Sequence, residues 1–145
     1  MRFMPLMIPK GYEKAVPGAM PDAKAVAAMM RYNESLQIAG VLVGLEGLHP
    51  PSMGTRVSFS GGRPMVTSGP FPEVREVLGG YSMSQVKPKE EAIEWASRCP
   101  DSENEVIEVR QVQEFSEFPA DVQEAAGIFP EAQPQSEPQR KAAKS

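Results

Sequence analysis

The feature that most narrows the folds open to this chain is a junction, where a helical stripe stops at Gly40 and runs straight into a β-rich segment. Ala25, Met29, Tyr32, Leu36 and Ala39 recur at spacings of three and four, so they share one face of a helix. Gly40 supplies the left-handed residue that closes such helices. Val41-Leu42-Val43-Gly44-Leu45 follows at once and reads as a strand. Upstream, Arg2 to Ile8 is an almost unbroken apolar run closed by Pro9, Lys10 and Gly11, which predicts a first strand. Gly11 to Met20 reads as loop, and the helix is expected to open near Pro21, with Asp22 at its positive end. Strand, helix and strand in that order make a βαβ unit. Pro5 has no N–H to give a ladder, so the first strand is expected at a sheet edge, turned outward there, or bulged.

The rest of the chain repeats the plan around an insertion. Thr55–Ser60 alternates apolar and polar residues, Gly61-Gly62 suits a tight turn with positive φ, and Arg63–Thr67 returns as the hairpin partner. After a bend at Ser68-Gly69-Pro70-Phe71, Pro72 to Gly79 is expected to form a short helix with Val74, Val77 and Leu78 inward. Tyr81–Val86 reads as a strand. The next helix begins at Lys87-Pro88, has Glu90 and Glu91 in its first turn and Arg98 in its last, and buries Ala92, Trp95, Ala96 and Cys99. Glu105–Val112 alternates again as the final strand. The predicted class is α+β, a ferredoxin-like split βαβ sheet with an inserted hairpin. A sheet with helices on one face only must bury the other, so a homodimer is expected. The domain is assigned to residues 1–115, a C-terminal helix starting near Pro119 to residues 116–128, and a disordered tail rich in Pro, Gln, Ser and Lys to residues 129–145.

Charge and composition exclude several classes. A net charge of -4 argues against a broad phosphate-binding face, so no nucleic-acid partner is expected. No apolar run approaches a membrane span, and the segment from Met1 to Ile8 is too short for a signal sequence. Cys99 is the one cysteine, which rules out an internal disulfide and suits a reducing, cytoplasmic compartment. Its place after an apolar stripe reads as packing, not as a nucleophile. One His and one Cys far apart make no metal set, so neither metal nor cofactor is expected.

The chemistry that remains centres on His49, the only histidine, in the Gly/Pro-framed loop Glu46-Gly47-Leu48-His49-Pro50-Pro51. An imidazole there could move a proton, with Glu46 or Ser68 orienting it, or could simply bond a carbonyl in the turn. Ser68 precedes Gly-Pro, which is turn chemistry; its hydroxyl, or the N–H groups of the helix expected after it, could also hold a ligand's anionic group. Arg75 could assist or pair with Glu73 and Glu76. Asn33 borders the first helix's buried face. The expected site is a cleft between sheet and helices whose mouth carries His49, Glu46, Ser68, Asn33, Arg75 and Tyr81, taking an unknown small molecule.

The ordered set Arg31-Tyr32-Asn33-Glu34, Gly47-Leu48-His49-Pro50, Phe59-Ser60-Gly61-Gly62, Val66-Thr67-Ser68-Gly69-Pro70-Phe71, Gly79-Gly80-Tyr81 and Glu91 to Pro100 resembles the YCII-related proteins. Within them it is similar to the group named for an Asp-Gly-Pro-Phe motif. The resemblance implies a ferredoxin-like fold that pairs into a dimeric, barrel-like α/β assembly. It also implies either an acid–base enzyme built on a His–Asp pair or a regulatory module tied to sigma-factor transcription machinery. Ser68 stands where the motif has its aspartate, which removes the Asp from such a pair.

Overall fold

In the computed structural model residues 1–100 and 104–127 are described. Met1–Gln111 forms one compact unit, and a second starts at Val112. The first contains β1 (Arg2–Pro9), α1 (Ala23–Ile38), β2 (Leu42–Gly47), β3 (Thr55–Ser60), β4 (Arg63–Ser68), β5 (Gly80–Gln85), α2 (Lys89–Ser97) and β6 (Asn104–Gln111). Four strands make one sheet in the order β2-β5-β1-β6, and β3 pairs only with β4. Each neighbouring pair is antiparallel. β5 thus lies between the two strands that α1 connects, the split βαβ arrangement, with the β3–β4 hairpin inserted between β2 and β5.

Local chemistry sets the ends of α1. The Asp22 side chain accepts the Ala25 N–H at 2.8 Å, so Asp22 is the N-cap, the helix opens at Ala23, and Pro21 stands just outside it, not at its first position as expected. Gly40 adopts φ 70°, the left-handed stop its sequence context predicts. Gly61 and Gly62, at φ 56° and 77°, make the hairpin turn.

β1 corrects an expectation. It runs through the middle of the sheet, and Pro5 is buried there. Pairing with β6 is continuous from Phe3 to Ile8, whereas pairing with β5 holds at Arg2, Phe3, Leu6 and Met7 and skips Met4 and Pro5. The missing N–H is accommodated by a gap in one ladder.

The helix expected over residues 72–79 does not form. Residues 72–73 make a turn closed by Val74 N–H on the Phe71 carbonyl (3.1 Å), and the chain then runs irregularly to β5. So short a segment with two β-branched valines cannot offset the cost of nucleation. The Gly79 N–H instead bonds the Met7 carbonyl at 2.9 Å, a partner far away in sequence.

Both helices lie on one face of the sheet. Phe3, Tyr32, Leu36, Val41, Val86 and Ala92 form the core there, with Met29, Leu42, Trp95, Cys99 and Val109 packed around it. Neither α1 nor α2 covers the opposite face, where half-buried Met4, Leu6, Ile8, Tyr81 and Met83 lie beside exposed Val106. The hairpin is exposed on both sides, and one of its faces is apolar, with Val57 opposite Val66 and Phe59 opposite Pro64. In the second unit, Glu114 and Glu117 form a capping box on the 3-10 turn Phe115–Glu117, and α3 spans Ala120–Gly127. The disorder expected for residues 129–145 lies outside the described residues.

Tyr32 joins the two helices of the core, its hydroxyl donating to the Trp95 carbonyl at 2.7 Å. Burial, together with Cys99 and against the pull of Arg98, pushes its pKa up to about 12 from 10.0. The folded chain therefore holds this proton more tightly than the unfolded chain does. The associated stability, about 1–2 kcal/mol after solvent screening, is fully present below pH 10 and lost as pH rises toward 12. Tyr32→Phe should cost about 1 kcal/mol at neutral pH and lose less stability than the wild type between those two values in urea titrations. A wild-type alkaline limb identical to that of the variant would assign the loss to other groups.

Candidate functional site

Three segments meet at the end of the sheet where β1 and β2 finish and β5 begins. The first leaves β1 at Pro9, turns at Gly11 (φ 74°), makes the 3-10 turn Tyr12–Lys14, bends at Gly18 (φ 79°) and reaches α1. The second leaves β2 at Gly47 and carries Leu48, His49 and Pro50 into the 3-10 turn Pro51–Met53. The third is Gly79. Pro50 is fully buried while His49 beside it is exposed, so the proline anchors the loop and leaves the imidazole on its surface.

The glycine pair at positions 79 and 80 makes this meeting possible. A Cβ on Gly79 would lie 2.3 Å from Pro9 Cγ, and one on Gly80 would lie 2.7 Å from the Glu46 carbonyl oxygen. The pair lets β1 come close at Gly79 and β2 at Gly80; it does not end a helix. The Leu48 N–H bonds the Gly79 carbonyl at 2.9 Å, which fixes the histidine loop against β5.

Between these segments lies a cavity of about 420 Å³. Tyr12, Ala15, Ala19, Met20 and Pro21 line one side, Gly47, Leu48 and His49 the other, and Pro9 and Gly79 the floor. Its walls are mostly apolar, and neither a carboxylate nor a Lys or Arg side chain lines it. A partly enclosed apolar hollow with a few polar groups is the ordinary form of a small-molecule site. Tyr12 donates its hydroxyl to the Leu48 carbonyl, and burial raises its pKa, which keeps that proton in place.

Of the residues picked out in the sequence, His49 alone lines this cavity. Its side chain makes no hydrogen bond or ion pair among the described residues, Glu46 included. Glu46 pairs with Tyr81 across the β2–β5 ladder, near the uncovered face of the sheet. Ser68 ends β4 opposite Thr55 in the hairpin, and it is exposed. Asn33 is half-buried on α1. Arg75 lies exposed in the irregular segment, so the helix N-terminus that was to join it in holding an anion does not exist. The cavity therefore sits between two loops at the sheet end, and not in a cleft between sheet and helices.

Tyr12 and its neighbours are the wall that sequence reasoning missed. An aromatic residue directly after a Pro-Lys-Gly turn was the available signal, because a solvated loop has little use for a large ring. Among the described residues no group of three or more His, Cys, Asp or Glu side chains is placed to hold a metal ion. Among them too, no helix is long and apolar enough to cross a membrane.

The fold and the loop cavity define a small α+β domain with an antiparallel split βαβ sheet. The model of the YCII-related domain matches residues 1–116, and the chain belongs to that family. No curated protein matches the chain.

Proposed function

We propose that this protein binds a small, largely apolar organic molecule in the cavity at the sheet end, with His49 meeting its polar group. The observation that carries the reading is the cavity itself, about 420 Å³, apolar in most of its lining and with the chain's only histidine at its wall. The imidazole is also the group able to move a proton on such a ligand, so the chemistry open to the site is acid–base, a lyase or isomerisation step. Ser68 cannot replace the carboxylate of a His–Asp pair, so His49 would act without one. A native mass spectrum of the purified protein should show a retained small molecule. Ala19→Phe, which fills the cavity from one wall, should abolish that retention, and His49→Gln should weaken binding about tenfold by removing one polar contact. Retention unchanged in Ala19→Phe would place the ligand elsewhere.

The uncovered sheet face supports a homodimer in which two sheets pack face to face as an α/β barrel. Leu6→Glu places a charge in the middle of that face. Light scattering should then give the 15.8 kDa monomer in place of a species of twice that mass. A wild-type monomer at micromolar concentration would refute the dimer. Cys99, a lone thiol packed against Met29, suits a protein of the reducing cytoplasm.

A second reading, a non-catalytic module within transcription machinery, is favoured by the apolar hairpin face, where Val57, Phe59 and Val66 are 53%, 75% and 70% exposed. Under that reading a pull-down should recover a protein partner and lose it with Phe59→Ser, while the cavity stays empty.

A further inference from the structure

We infer that residues 11–21 form a movable cover over the cavity, held shut by two reciprocal hydrogen bonds, and that Tyr12 is a positioning residue for His49. The inference rests on the reading of the cavity as the binding site and adds how that site opens. The segment joins β1 to α1, has the 3-10 turn Tyr12–Lys14 as its regular structure, and buries none of that turn's residues. Its bends fall at Gly11 and Gly18, both at positive φ and both with open space where a Cβ would sit. Those glycines serve backbone conformation, as hinge points do, and not close packing. Yet the segment supplies one whole wall of the cavity.

Its attachment to the histidine loop is sparse. The backbone bonds from Lys14 to Gly11, Ala15 to Tyr12 and Ala19 to Val16 all stay inside the segment. Two side chains cross to the loop or back from it. Tyr12 in the cover donates to the Leu48 carbonyl, and Ser52 in the loop donates to the Ala15 carbonyl at 2.8 Å. These latches bracket His49, one acting on the residue before it and one from three residues after. Closing the cover therefore also fixes the loop that carries the imidazole. Burial raises the pKa of Tyr12, so this latch keeps its donor proton. A molecule in the cavity lies against the cover, and release of the latches widens its path to solvent.

The test uses the full chain without added ligand. Each latch contributes one hydrogen bond, so Tyr12→Phe and Ser52→Ala should each raise trypsin cleavage after Lys14 about fivefold, and together about 25-fold. Cleavage after Lys89, at the start of α2, should stay at the wild-type rate, and Ser52→Thr should restore slow cleavage after Lys14. Wild-type cleavage after Lys14 in the double variant, or equal acceleration after Lys89, would overturn the cover. The single histidine gives a second readout, because its imidazole proton resonance needs no assignment. In Tyr12→Phe that resonance should move toward its unfolded position while the rest of the spectrum keeps its dispersion; an unmoved resonance would overturn the positioning role. Neither measurement needs a bound ligand, so a failure here is distinct from a failure of ligand retention.

Discussion

Phe3→Ala should destabilise the domain by about 3–5 kcal/mol, the range for truncating a fully enclosed aromatic ring. Phe3 is 1% exposed, lies on the central strand β1, and faces both α1 and α2 through Leu36, Tyr32 and Ala92. No neighbour can collapse into the vacated volume without moving a helix off the sheet, so transfer and cavity costs add. A domain of ordinary stability holds only about 5–15 kcal/mol. The variant is therefore expected to melt roughly 10–20 °C lower, with an unchanged urea m-value. A loss under about 1 kcal/mol would mean that the ring is not enclosed as the packing indicates. Phe3→Leu, which keeps most of the volume, should recover the larger share of the loss.

Gly69→Ala is the second large effect, and it acts by the opposite mechanism. A Cβ at Gly69 would fall 1.8 Å from the Pro51 carbonyl oxygen and 2.8 Å from its carbon, both of them backbone atoms that no rotamer change can clear. The Gly69 N–H also bonds the Gly54 carbonyl at 2.9 Å, and Arg56 stacks over Phe71 at 4.4 Å beside it. Together these seat the base of the hairpin on the turn that follows His49. Adding one methyl should cost about 1–3 kcal/mol or more and disturb the histidine resonance, because the clash is transmitted to Pro51. Gly54→Ala, whose Cβ would meet the same Pro51 oxygen at 3.3 Å, should cost less. Gly47→Ala, with open space at the Cβ position, should fall within about 0.5 kcal/mol of the wild type. Equal losses at all three positions would show that the contact at Gly69 is relieved by motion elsewhere.

The places where sequence and structure part company share a cause. The stripe from Ala25 to Leu36, the stop at Gly40, the turn at Gly61-Gly62 and the acidic first turn of α2 are local signals, and each appears where its spacing puts it. Three expectations change where a distant partner outweighs local preference. Pro5 enters the centre of the sheet because its ring fills a buried position, at the cost of a gap in one ladder. Residues 72–79 stay irregular, with Gly79 bonded to β1 in place of a helical turn. The expected site changes in make-up, since Glu46 and Tyr81 pair on the sheet and Ser68 ends the hairpin, and none of the three lines the cavity that His49 reaches. His49 reaches a cavity, but the opposite wall comes from Tyr12 and Met20, in a segment that its Gly and Pro punctuation marks as loop.

By itself the sequence determined the order of the six strands and the two long helices, the stop at Gly40, the hairpin turn, the α+β class and the family, because hydrophobic period, capping and turn chemistry act within a few residues. Only the tertiary structure decided that β1 is central, that Gly69, Gly79 and Gly80 are required for close approach, and that the hollow lies between the Tyr12 segment and the histidine loop. A cavity is the volume left when segments far apart in the chain stop against one another, and contact distances between such segments are not encoded in any local pattern.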